Sequence, residues 1–187
     1  MTSFSNADYR PLPVDAEILL RQVSAPRRLV AHLTLVHDVA SKLVERFVEA
    51  FPGVVLDPEA VMFGASIHDL GKAVYRNELV EPGKEHEKCG AELLRRLGVS
   101  EERARFAYTH GNWDTAEPVT LEDLLVALAD NCWKGKRLDE LETKVVNHLS
   151  SASGQPAWEC YAKLDEILAL LAQDGDRRLA WQGVFEG

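Results

Sequence analysis

The chain has 187 residues, 46% of them hydrophobic and 27% charged, with 30 acidic against 21 basic side chains and a formal net charge of −9. That length suits one well-packed domain over residues 1–187, and the balance of apolar and charged residues excludes global disorder. The acidic excess opposes binding to duplex nucleic acid or an anionic membrane surface, so a phosphate-bearing ligand must be met by a local cluster of basic groups.

Cys89, Cys132 and Cys160 are odd in number and widely spaced, which fits a reducing compartment rather than a zinc ribbon or redox motif. The opening stretch MTSFSNADYRPLPVD has neither a basic leader nor an apolar run of signal-peptide length. No segment approaches the roughly 18 apolar residues of a membrane span. A cytoplasmic location is the expectation.

In chain order, residues 1–13 read as an irregular arm around Pro11 and Pro13, and a short helix follows over 15–23. The spacing predicts a longer helix from about 26 to 49, with Ser24 as a cap and Pro26 in its first turn. Its stripe of Leu33, Val36, Ala40, Leu43, Phe47 and Phe51 steps by three and four, and His37 borders that stripe. His32 lies about 140° away around the helix and is not expected to share a site with His37. Asp57, Pro58 and Glu59 start a central helix that is expected to run to Leu70 and stop at Gly71. A loop-like KAVYRNELVEPGK segment leads to a helix from about 85 to 98, and another runs from Ser100 to His110. Thr120 caps the apolar LEDLLVALADNCW, which KGKR ends, and two amphipathic helices over about 138–172 cover the core. No alternating strand pattern is present, so the fold class is all-α, a helical bundle.

The stretch GASIHDLGK poses the chemical question. Asp69 sits in an apolar helix that offers no Lys or Arg from Ala60 to Leu70, and a buried carboxylate requires either a cation from the chain or a metal ion. Asp130 repeats the problem inside its own apolar run.

The ordered set of His37, His68 with Asp69, His86, His110 and Asp130 lies in LVHDVASKL, GASIHDLGK, HEKCGAELLRRLG, ARFAYTHGNW and ALADNCWKGKR. Over about residues 24–137 this set resembles the HD superfamily of metal-dependent phosphohydrolases. The resemblance implies an HD-domain-like bundle with a metal site in its core. His37, His68, Asp69 and Asp130 would hold one ion, and His86 and His110 would add a second, with Asp69 as the bridge. Imidazole nitrogen and carboxylate oxygen suit one or two divalent transition ions: iron, manganese, cobalt, nickel or zinc.

The implied reaction is hydrolysis of a small-molecule phosphate ester, a nucleotide or related metabolite, by metal-activated water. Asp69 and Lys72 would be the catalytic residues, and Lys72, Lys134 and Arg137 would meet the phosphate. The six-ligand pattern also resembles HD enzymes that cleave symmetrical dinucleoside tetraphosphates, although Asn131 stands where those carry lysine after the aspartate. Two other classes share the scaffold: a di-iron HD-fold oxygenase and a non-catalytic HD-fold signalling module. Each residue also has a structural alternative, a hydrogen-bonded core histidine for His37 or a partner for the helix dipole at His110. The tail carrying Trp181 and Phe185 is expected to dock on the domain or on a second copy, the latter giving a homodimer.

Overall fold

Every regular element among residues 9–185, which the computed structural model describes, is helical. Of the expected N-terminal arm, residues 1–8 lie outside the described residues, while 9–13 are irregular as anticipated. The order is α1 (Val14–Gln22), α2 (Arg27–Ala50), α3 (Pro58–Ile67), 3-10 turns at Leu70–Ala73 and Arg76–Leu79, then α4 (Glu85–Arg96), α5 (Glu101–Ala104) and α6 (Phe106–Thr109). It continues with α7 (Leu121–Cys132), α8 (Asp139–Ser153), α9 (Ala157–Ala172) and α10 (Gly175–Gln182).

The long α2 is the axis of the bundle. It packs against α3, α7, α9 and α10, and between Leu29 and Phe47 it buries residues around nearly its whole circumference. The stripe read from the sequence is therefore one of several buried faces. Ser24 does not cap this helix: it takes a left-handed φ of 50°, and Pro26 stands at the N-cap without a side-chain bond.

The start of α3 matches its sequence signals, with Asp57 accepting the amide of Ala60 at 3.1 Å and Pro58 in the first turn. Its end does not. The helix stops at Ile67, three residues before the expected limit, and the chain passes through Asp69 at φ −96°, ψ 13° into the 3-10 turn. The helix expected over 100–110 is two short pieces, α5 and α6. In α7 the capping box is complete, Thr120 and Asp123 each satisfying the other's backbone amide.

Helices α8 and α9 pack on each other and on α7 and α2, as a cover for the core. The sequence reading did not anticipate α10. It buries Trp181, which stacks edge-on with Tyr9 at 5.0 Å and with Phe185 at 4.8 Å, so the tail docks on its own chain. Among the described residues no helix is long and apolar enough to cross a membrane.

Candidate metal centre

The break after α3 is what lets two consecutive residues serve one centre. In an unbroken helix the side chains of His68 and Asp69 would diverge by about 100°. With the turn begun at Asp69, both reach the same buried point. The carboxylate of Asp69 is the hub. Its Oδ2 lies 3.0 Å from His32 Nε2, 3.7 Å from His68 Nε2 and 2.6 Å from the Lys72 ammonium, while its Oδ1 lies 2.9 Å from His86 Nε2 and 3.4 Å from His110 Nε2. Asp130 arrives from the last turn of α7, its Oδ1 3.3 Å from His68 Nε2 and 3.4 Å from His32 Nε2.

The structure thus brings His68, Asp69, His86, His110, Asp130 and Lys72 together, and it adds a histidine that the sequence reading set aside. His32, not His37, is the α2 contribution. His37 is also buried, but on the face toward the N-terminal arm, where its neighbour Asp38 accepts the Arg10 amide at 3.1 Å. The two imidazoles point to opposite sides because five residues carry the helix about 140° around its axis. Since α2 is buried on both sides, no periodicity separated them.

Arg137 is a second correction. It donates to both carboxylate oxygens of Glu142 at 2.6 Å and to Asp165 at 2.9 Å, so it ties the start of α8 to α9 and is not free to meet a phosphate. Lys134 lies with its ammonium 5.9 Å over the ring of Trp133, whose edge packs on His32 at 5.0 Å. It borders the centre and makes no ion pair with Asp69 or Asp130 among the described residues.

Two supports were invisible in the sequence. Glu78, in the second 3-10 turn, accepts from His86 Nδ1 at 2.5 Å and from the backbone amides of Glu85 and His86. Gly71 and Gly90 let the first 3-10 turn lie directly on α4: a Cβ on Gly71 would overlap the carbonyl oxygen of His86 and stand 2.8 Å from the Gly90 nitrogen. Neither the Glu78–His86 pair nor this close approach has a periodicity that a sequence reveals.

The charge states follow from competition between burial and neighbours. Burial alone would raise the pKa of Asp69, but His68, Lys72, His110 and His32 hold it well below the usual carboxylate value. Asp130 is likewise held well below it, burial being outweighed by His32 and His68. Burial keeps His68 low and therefore neutral. For His32 and His86 the nearby carboxylates overcome burial and raise the imidazole pKa, and Asp69 does the same for the Lys72 ammonium. Asp130 and Lys72 are the members with open sides, 21% and 20% exposed, so solvent reaches the centre along their edge.

The donor set fits a divalent metal ion on three observations. First, the Nδ1 atoms of His68, His110 and His86 donate to the Ala65 carbonyl, the Phe106 carbonyl and Glu78. In the neutral ring of His68 the Nε2 lone pair then faces the Asp130 carboxylate oxygen at 3.3 Å, an acceptor against an acceptor unless a cation lies between. Second, His86 Nε2 and Asp69 Oδ1 are both buried without a hydrogen-bond partner although they are 2.9 Å apart; their alignment suits a shared cation better than a shared proton. Third, the mutual distances of His32 Nε2, His68 Nε2 and Asp130 Oδ1 are 3.2, 3.3 and 3.4 Å. Imidazole and carboxylate donors gathered this closely could share one divalent ion.

Comparison with known proteins places the chain. It is 35% identical over 104 residues to an uncharacterised protein of Methanocaldococcus jannaschii, covering 48% of this chain and 58% of that protein. It is 27% identical over 176 residues to tRNA (cytidine(56)-2'-O)-methyltransferase of Thermoplasma volcanium, covering 84% and 47%. It is 37% identical over 93 residues to ribonuclease Y of Acidothermus cellulolyticus, covering 48% and 18%. The chain therefore spans 58% or less of the length of each of these relatives. No solved structure matches it. The model of the HD domain matches residues 29–133, over half of the chain and the stretch that supplies every member of the His32–Asp130 cluster, and the protein belongs to the HD domain family.

Proposed function

We propose that this protein is a metal-dependent phosphohydrolase that cleaves a small phosphate ester, a nucleotide or related metabolite, with water as the nucleophile. The observation that carries the reading is the Asp69 carboxylate, whose two oxygens face different sets of imidazoles while a lysine stands at its solvent-facing edge. His32, His68, Asp69 and Asp130 would hold one divalent ion, and Asp69, with His86 and His110 facing its other oxygen, would hold a second. A bound ion supplies Lewis acidity toward a phosphoryl oxygen and acidifies water. No side-chain nucleophile is required.

The chain's own groups supply the rest. Lys72 is partly exposed and stays an ammonium, so it offers a fixed positive charge where negative charge grows on the phosphoryl oxygens. Asp130 lines the same open edge and can accept a hydrogen bond from water there. The enclosing residues, His68, Asp69, His86 and His110, are buried and keep bulk water from the remaining sides. Similarity to ribonuclease Y, named for cleavage of RNA, supports phosphoester hydrolysis as the class. The net charge of −9 favours a small ester over a long polyanion.

A screen of phosphomonoesters, cyclic nucleotides, dinucleoside polyphosphates and short RNA with Mn²⁺, Fe²⁺, Co²⁺ and Ni²⁺ tests the reading. Turnover by the metal-loaded protein, abolished in Asp69→Ala together with metal uptake, is the expected outcome. Lys72→Ala is expected to retain its metal and lose about 2–4 kcal/mol of transition-state stabilisation. A fully metal-loaded protein inert toward all of these substrates would overturn the proposal, and oxygen uptake by the ferrous form without hydrolysis would put an oxygenase in its place.

A further inference from the structure

We infer that Glu78 is a positioning residue that sets the metal affinity of the His86–His110 half of the centre selectively, leaving the His32–His68–Asp130 half unaffected. The inference rests on the two-halved reading of the centre given above.

Three of the four histidines have a visible anchor for Nδ1, and the anchors are not alike. His68 and His110 donate to main-chain carbonyls one turn earlier, Ala65 and Phe106. These are neutral acceptors that any residue would provide. His86 alone donates to a carboxylate, Glu78 Oε2, at 2.5 Å. The Glu78 side chain is 3% exposed and pairs with the His86 imidazole. A buried carboxylate held against an imidazole fixes the ring's orientation and tautomer and strengthens its other nitrogen as a donor.

The same carboxylate also starts α4. Lys84, at the N-cap, makes no side-chain capping bond, and Glu78 accepts the amides of Glu85 and His86 at 3.1 and 3.2 Å in its stead. Capping alone would need no contact with the ring. Gly83 makes the arrangement possible, since a Cβ there would run into the Glu78 carboxyl group.

The other half of the centre is built differently. His32, His68 and Asp130 come from α2, from the end of α3 and from α7, helices of 24, 10 and 12 residues that pack directly on one another. No contact of Glu78 reaches them. Removing the Glu78 charge therefore loosens one half of the donor set and leaves the other in place.

Titration of the full, metal-stripped chain with Mn²⁺, followed by calorimetry and by elemental analysis after gel filtration, tests the assignment. The native protein is expected to take two equivalents. In Glu78→Gln, which keeps an acceptor for the α4 amides, the first equivalent is expected to bind as in the native protein and the second about 10–100-fold more weakly. Glu78→Asp keeps the charge and is expected to fall between the two. Glu142→Gln removes a buried carboxylate that pairs with Arg137 away from the centre, and both equivalents should survive it. Unchanged binding in Glu78→Gln, or equal weakening of both equivalents, would overturn the inference and leave the reading of the centre intact. A native protein that takes up no metal would overturn the reading itself, and this inference with it.

Discussion

His32 and His37 are five positions apart on α2 and both are buried, yet only His32 faces the carboxylates of Asp69 and Asp130. His32→Ala is expected to weaken metal binding by more than about 100-fold, beyond the loss from a supporting residue. His37→Ala is expected to keep the native metal stoichiometry and to lose about 1–3 kcal/mol of stability from its buried position. Elemental analysis beside urea denaturation separates the two, and the reverse pattern would return the site to His37. Charge state gives a second test. His32 and His86 are raised above the ordinary imidazole value of 6.5, so in the metal-free protein both hold protons in the range just above it. Coordination requires the neutral ring, so metal binding must release those protons. His68 is already neutral and the two carboxylates are already ionised, and these release none. Apparent metal affinity is thus expected to climb as pH rises from 6.5 through the elevated values and then level off, with calorimetric proton release fading over the same range. Binding at pH 6.5 without proton release would contradict this assignment of charge. From the sequence, the need for a partner at Asp69 and Asp130 was legible because apolar surroundings leave a carboxylate few options. The choice between two histidines was not, because a helix buried on several faces gives hydrophobic periodicity nothing to discriminate.

Among the elements, the ending of α3 decides the most. The apolar run from Val61 to Leu70 reads as one uninterrupted helix, and only the structure shows it stopping at Ile67 so that His68 and Asp69 converge. The turn that follows is wedged against α4 through Gly71 and Gly90, and this contact carries His86 to within 2.9 Å of Asp69. Gly71→Ala would force the turn and α4 apart. It is expected to cost about 1–3 kcal/mol or more, as overpacking does, and to reduce the metal taken up by the His86–His110 half. A Gly71→Ala protein with native stability and native metal content would show that the two elements can separate freely. The starts of α3 and α7 were legible because caps are local: Asp57 reaches Ala60, and Thr120 exchanges bonds with Asp123, within one turn. The first 3-10 turn was not legible as an element because it is held by packing on α4 rather than by its own sequence.

For the whole molecule, the basic cluster after α7 shows why placement outranks composition. KGKR looked like a phosphate-binding run, but Arg137 is spent on Glu142, 5% exposed, and on Asp165, joining α7's exit to α8 and α9. Arg137→Ala is expected to leave turnover unchanged and to destabilise the fold by roughly 1–3 kcal/mol, chiefly by leaving the Glu142 carboxylate unpaired. A large fall in turnover with native stability would restore it to substrate binding. The sequence by itself determined the helical class, the starts of the principal helices and the carboxylates that need a cation, since these depend on residue type and on spacing within a few turns. Tertiary structure alone decided that His32 rather than His37 joins them, that Glu78 backs His86, and that Arg137 belongs to the scaffold. Those outcomes depend on how elements distant in the chain pack face to face, and a one-dimensional periodicity does not encode which of two buried faces meets which neighbour.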